Sequence, residues 1–559
     1  MQLLLLPKYE QLLSDSPMTI LDYVRCIGRK MTLRLCTHFL YKNLQEDQQN
    51  IVEFWSNYFS SDNKKFANDL IRKLIKLSKS FRVSIIHTQN LYMLIEAAMS
   101  ASVQEELLPN PSKAAVEKYF FKALLVANNN ILQNQDAGLE ETEKYCLFNP
   151  KINKIAVLFL TNQIAYGDFE FALNDEVAIT QLYKCVCFFE FVDQYYPKHL
   201  ECYLCEKGFK GWKEYIKVLS GLAFKTVKKD KGPTFINVPR ENHDKALDCC
   251  MQLSHTTIYD YKSDLDFITL RNRPLFQWNE NEFLILSNLF LSEKLYQSLY
   301  FDFNSINEKL KSPDRVDEFK SKIGLEFSER TLLYKVLNRL FKDKLIKKIG
   351  TEIDAIVRGG GCDYYARSGN KVYIFECKDI LMPKGKKTSY NASLIMNFLY
   401  DRLVQSRNDK KAVKQLLQNI KFIRENKIEP HRTDGAKMTI YPIIVTHHKV
   451  FDTPAINYVI NHWFQQKLHD FDVVNKDRIK PVVIINIDTL IIMKDLCRQK
   501  SIEFKDLLDK YISTILRNDE LALKNSYLSF ADKMHDDIFL THQFPKGATD
   551  FAKRLFNEE

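Results

Sequence analysis

The chain has 559 residues, 45% of them hydrophobic and 12% aromatic, with 16 Gly and 16 Pro. That excludes a disordered or low-complexity protein and gives length enough for several packed cores. The formal net charge of +10 permits a polyanionic partner without demanding one, because nucleic-acid binders gather their basic residues on one face.

The chain opens on "MQLLLLPKYE", which lacks the basic start of a secretory signal, and no run of 18 apolar residues follows. The expectation is a cytoplasmic protein without a membrane span. Its twelve cysteines are then reduced and mostly buried thiols. Residues 1–225 read as almost entirely helical. "NDLIRKLIKLSKSF" and "YFFKALLVANNNIL" carry apolar residues at three- and four-residue spacing, and "TQLYKCVCFFEFVDQYY" is apolar nearly all round, as in a helix buried in an α-domain. This region is expected to be a recognition or regulatory domain that takes a protein partner or a trigger. Cys202 and Cys205, with Cys249, Cys250, His243 and His255, do not have the two spaced pairs of a zinc site, so buried thiols are the preferred reading. No GxxxxGK[ST] stretch is present, so nothing points to ATP hydrolysis.

Around "KTVKKDKGPTFINVPRENHD" the composition shifts to Lys, Gly, Pro and Asn, as in an exposed linker, and residues 226–314 are expected to form a linker and a small α+β region. Within it "LDFITLRNRPLFQWNENEFLILS" predicts two short strands joined at "WNENE", followed by the helix "NLFLSEKLYQSLYF". Residues 315–499 alternate helices and strands: an amphipathic helix in "DEFKSKIGLEFSERTLLYKVLNRLFKDKL", a hairpin, the helix "DKKAVKQLLQNIKFIREN", the strand "MTIYPIIVTHH", the helix "PAINYVINHWFQQKLHD" and the strand "KPVVIINIDTLIIM". A helical tail, 500–559, completes an α+β multidomain chain: an all-helical N-terminal region followed by an α/β domain with a mixed central sheet.

The hairpin "CDYYARSGNKVYIFECKD" raises the question of function. Ser368-Gly369-Asn370 supplies the turn. Side chains alternate along a strand, so Glu376 and Lys378 share one face and Cys377 faces away. Pairing across the turn brings Asp363 toward Glu376. Two carboxylates and one amine at one end of a sheet offer the oxygen ligands Mg2+ requires and a base or charge stabiliser beside it.

These residues resemble the PD-(D/E)xK, or restriction-endonuclease-like, nuclease superfamily, with Asp363, Glu376 and Lys378 as its elements. No proline precedes the aspartate. The resemblance covers about residues 320–495 and implies a preceding helix that contributes an acidic residue, here Glu329 in preference to Glu326. It also implies a following helix with a Gln at the site, Gln415 first and Gln418 second. By the same likeness Asp363, Glu376 and the Cys377 carbonyl would bind Mg2+, with Mn2+ as a substitute, and Lys378 would position the attacking water. Asp354 in "GTEIDAIVRGGG" is the alternative first ligand, reached only through the "RGGGCDYYARSG" excursion. Three glycines at 359–361 would let backbone approach the site closely. Lys384, Lys386 and Lys387 in "PKGKKTS" are candidate phosphate contacts, and His447 and His448 at the end of "YPIIVTHH" are candidates for metal binding or proton transfer. The implied activity is a metal-dependent nuclease, most readily a DNA endonuclease in a regulated setting such as bacterial defence against phage. An RNA nuclease, a catalytically silent nucleic-acid-binding protein and a helical scaffold that keeps the fold stand as alternatives.

Overall fold

The computed structural model describes residues 4–41, 51–79, 82–100, 111–170, 174–224, 234–238, 243–255, 261–341, 345–357, 360–406, 409–429, 434–498, 502–515 and 526–539. The protein is mixed α/β, predominantly helical, and gathers into two compact units. One holds Met1–Asp136, Ala172–Gln181 and Leu204–Leu299; the other holds Ala137–Phe171, Leu182–Tyr203 and Tyr300–Glu559. The compositional break near residue 225 does not divide these units, which meet in sequence at Leu299 and Tyr300, so the expected boundaries at 225 and 315 shift. Residues 137–171 and 182–203 pack with the second unit, and the region 226–314 is shared out instead of standing alone. Most of the basic stretch at 225–233 lies outside the described residues. Among the described residues no helix is long and apolar enough to cross a membrane.

The first unit is helical around an aromatic core in which Trp55 meets Phe121 edge-on at 4.8 Å. It carries a four-stranded sheet in the order Phe235–Asn237, Glu282–Ile285, Leu275–Asn279, Ser254–His255. The hairpin expected around "WNENE" is its centre, but the start of that stretch, read as strand, is the short helix Ile268–Asn272.

The second unit is built on a five-stranded sheet whose strands lie in sequence order. They are β1 (Ile346–Ile349), β2 (Tyr364–Ser368), β3 (Lys371–Lys378), β4 (Thr439–Thr446) and β5 (Val483–Asn486). β1 and β3 each run antiparallel to β2 between them, and β3, β4 and β5 run parallel. β3 is covered on both faces, which is why "VYIFEC" is a continuous apolar run rather than an alternating one. Val372 and Ile374 point into a core with Leu416, Ile420, Val459 and Ile460. On the other face the Phe375 ring lies 5.9 Å from Phe341 and 6.4 Å from Phe504, so the start of the C-terminal region is part of this unit's core.

Six helices matter for the site. α1 runs continuously through Phe319–Ile323, Gly324–Leu333 and Tyr334–Leu340, and its middle stretch is wound as a π-helix. α2 is Gly350–Val357, α3 Ala392–Leu399, α4 Ala412–Arg424, α5 Ile456–Asp470 and α6 Ile487–Arg498. "GTEIDAIV", which carries Asp354, is the helix α2. One expectation changes here. The strand in "KPVVIINIDTLIIM" stops at Asn486 and the rest is α6, buried on all sides. A short apolar run buried all round carries no period that separates the two forms.

Candidate active site

β3 pairs with β2 from Ser368↔Lys371 to Tyr364↔Phe375. One step beyond the last pair, Asp363 stands opposite Glu376, and directly opposed residues of antiparallel strands project to the same face. Lys378 lies two residues further along that face. The Asp363 N–H donates to the Phe375 carbonyl at 3.0 Å, and Asp363 Oδ2 accepts the Cys377 N–H at 2.6 Å. The side chain of Asp363 thus takes the place of the next residue of β2. A residue's N–H and C=O leave a strand on the same edge, so the Cys377 carbonyl also emerges on Asp363's side.

Glu376 is fully buried at 0% exposure. Its Oε1 accepts from Lys378 Nζ at 2.7 Å, and among the described residues its Oε2 has no hydrogen-bond partner. Burial, with Asp363 close by, pushes Glu376 up to about 8. Glu329, half-buried on α1, is likewise pushed up to about 8 by burial and by Asp363. Burial raises Asp363 as well, against the pull of Lys378. For Lys378 burial acts downward, but Glu376 and Asp363 outweigh it and hold the ammonium above its ordinary value. Three crowded carboxylates therefore face one ammonium.

Glu329 is the acidic residue of α1 that joins this cluster. Glu326, the alternative, accepts a hydrogen bond from the Tyr196 hydroxyl at 2.7 Å. Asp354 is exposed on α2 and its Oδ1 accepts the N–H groups of Gly360 and Gly361 at 3.3 and 2.9 Å, so it organises the loop ahead of Asp363.

α4 enters the site through a residue that motif reading passed over. Asn419 is fully buried; its Oδ1 accepts the Cys362 N–H at 2.8 Å and its Nδ2 donates to the Gly360 carbonyl at 3.1 Å. It fixes the chain on the approach to Asp363. The signal was an amide on the buried face of "AVKQLLQNI", where the other fully buried residues are apolar. Gln415 is half-buried one turn earlier on the same side, and among the described residues no hydrogen bond joins its side chain to the carboxylates. Gln418 accepts from Lys410 Nζ at 3.3 Å.

The remaining candidates separate from the cluster. Lys387, expected as a phosphate contact, is 4% exposed and donates to both Asp168 oxygens at 2.8 Å, which takes it out of reach of any polyanion. Lys386 lies over the Phe398 ring at 5.2 Å, and Lys384 is exposed. The histidines at the end of β4 serve the opposite face of β3. His447 Nε2 is 3.2 Å from Cys377 Sγ, and burial drives it down to about 4. His448 pairs with Asp379 at 3.3 Å, and Asp379 also accepts from Ser328 Oγ at 2.6 Å. Burial alone would raise Asp379; these two partners and His447 hold it below the usual carboxylate range. All twelve cysteines are free thiols; Cys249 and Cys250 are buried as expected, whereas Cys205 is exposed. The His243 side chain lies outside the described residues.

Among the described residues no three His, Cys, Asp or Glu side chains form a metal-binding group as they stand. The expected ligand set contains only two side-chain carboxylates, those of Asp363 and Glu376, and a backbone carbonyl. Its donor chemistry suits a hard divalent cation: carboxylate oxygens, one of them buried and, among the described residues, without a partner. No protein-family model, curated protein or solved structure matches the chain.

Proposed function

We propose that the chain is a Mg2+-dependent nuclease of the PD-(D/E)xK type that hydrolyses phosphodiester bonds in DNA. One observation carries the reading: Asp363, Glu376, Lys378 and Glu329, brought from two strands and a helix, meet at the end of β3, and the buried Glu376 keeps one oxygen without a partner. The restriction-endonuclease-like fold is supported by the order of elements, in which a helix with Glu329 precedes a hairpin ending in Glu-x-Lys and a helix bearing Gln415 leads on to two parallel strands.

In this reading Asp363, Glu376 and the Cys377 carbonyl would hold the ion, and Glu329 would complete their surroundings. When bound, Mg2+ would polarise the phosphate and acidify a water. Lys378 would be freed from part of its bond to Glu376, would orient the attacking water and would offset the charge that grows on the phosphate oxygens. Gln415, on the face that Asn419 anchors, would steady a phosphate or a water.

The test compares wild type with Glu376→Gln and Lys378→Ala on duplex DNA, single-stranded DNA and RNA in Mg2+, Mn2+ or EDTA. Cleavage should require metal, prefer DNA and fall by about 100- to 1,000-fold or more in each variant, the range seen when one preorganised charge-stabilising group is lost. Cleavage that is equal in all three proteins, or indifferent to EDTA, would remove the proposal. Cleavage confined to RNA would keep the chemistry and correct the substrate.

A further inference from the structure

The carboxylate cluster has one nearby cation with no fixed task. Arg330 follows Glu329 on the π-wound stretch of α1. Tyr334, four residues on and so on the same side of the helix, accepts the Gly350 N–H at 3.1 Å, and that N–H also donates to the Asp363 carbonyl at 2.8 Å. The helix face that carries Arg330 therefore borders Asp363. The charge of Arg330 acts on Glu329, Asp363 and Tyr334, counteracting the rise that burial imposes on the two carboxyls. Yet Arg330 is exposed, and among the described residues no carboxylate lies within ion-pair distance of it. Lys378, by contrast, is committed to Glu376 at 2.7 Å.

Lys378, already paired with Glu376, has little charge left over for a phosphodiester beside Asp363. A guanidinium on the exposed helix face that borders Asp363 supplies a positive charge and two parallel N–H donors that match two phosphate oxygens. We infer that Arg330 binds the non-bridging oxygens of the phosphodiester beside Asp363, and so sets where the backbone lies against the cluster. The inference rests on the nuclease reading above and adds a substrate contact from α1, outside the Asp and Glu-x-Lys set.

Arg330→Ala and Arg330→Lys would be compared with wild type in the full chain. Binding of a labelled DNA duplex would be measured in Ca2+ over a range of salt, and cleavage in Mg2+. Arg330→Ala should raise Kd and KM by about tenfold and reduce the slope of log Kd against log salt by about 0.9, the share of one phosphate contact. Arg330→Lys should restore the salt slope, because the charge returns, but recover less than half of kcat/KM, because the two-pronged contact does not. A wild type that cleaves DNA while Arg330→Ala keeps its Kd, salt slope and KM within twofold would overturn the inference and leave the nuclease reading intact. A wild type that neither binds nor cleaves would overturn both.

Discussion

Lys378 Nζ sits 2.7 Å from Glu376 Oε1, two residues back on the same face of β3, while Glu376 Oε2 is buried with no partner. One ammonium thus serves a carboxylate that burial and Asp363 push up to about 8, against an ordinary value of 4.5. A carboxyl whose folded value is raised contributes stability in acid, and loses it as pH climbs from the unfolded value through the folded one. The metal-free protein should therefore become less stable between about pH 4.5 and 8, with Glu329 adding to the trend. Glu376→Gln should flatten that dependence and raise the melting midpoint at pH 8 in EDTA by about 1–2 °C, as expected for about 1 kcal/mol in a unit of this size. Mg2+ should stabilise wild type more at pH 8 than at pH 5. Differential scanning calorimetry in EDTA and in Mg2+ reads all three effects; a midpoint flat across this range in EDTA would refute them.

Asn419 should behave as part of the site although it carries no charge. Asn419→Ala strands the Cys362 N–H and the Gly360 carbonyl, which it now satisfies at 2.8 and 3.1 Å. Leaving the buried Cys362 N–H unpaired costs about 1–3 kcal/mol, and here the loosened chain is the one that leads into Asp363. Urea unfolding should show that loss, and isothermal titration with Mn2+ should show weaker metal binding. Unchanged metal affinity would confine Asn419 to a structural role.

Gly350 offers a sharper separation of stability from activity. A Cβ there would lie 3.0 Å from the Tyr334 hydroxyl and 3.3 Å from both the Cα and the carbonyl oxygen of Asp363. The tyrosine can swing aside; the Asp363 backbone moves only by shifting its carboxylate. Gly350→Ala should reduce metal-dependent cleavage by tenfold or more while the melting midpoint falls by only a few degrees. Full activity in that variant would show that the site tolerates a displaced Asp363.

A buried ion pair on the far side of the sheet makes a different kind of claim. Lys184 and Asp488, each 2% exposed, meet at 2.7 Å. Lys184→Met should destabilise the fold by about 3–5 kcal/mol, because Asp488 is left charged and buried. Adding Asp488→Leu should recover much of the loss, a coupling that a double-mutant cycle in urea measures directly.

Much of this unit could be read from sequence because its signals were local. The turn at Ser368-Gly369-Asn370 and the apolar run through Phe375 define the hairpin, and two-residue alternation puts Glu376 and Lys378 on one face without any tertiary information. The preference for Glu329 over Glu326 could be made from the resemblance, but the reason Glu326 stands apart, its bond from Tyr196, lies far away in sequence. Lys387 looked like any solvated lysine because nothing near it reveals Asp168. Asn419 and Tyr334 were hidden for a related reason. Each makes its contact with backbone, and backbone partners leave no trace in residue identity. α6 was missed because apolar residues on every side erase the period that tells a helix from a strand.

The π-wound stretch of α1 also bears on how this chain tolerates changes in length. Gly324–Leu333 holds Glu326 toward Tyr196 and Glu329 toward the carboxylates, and the Thr331 hydroxyl donates to the Glu326 carbonyl at 2.7 Å within it. A single residue gained or lost in a helix turns everything beyond it by about 100°. Loops elsewhere can absorb insertions and deletions, but in this segment one would point a different side chain at Asp363. The reading frame of the helix, as much as the identity of its acids, is what the site inherits.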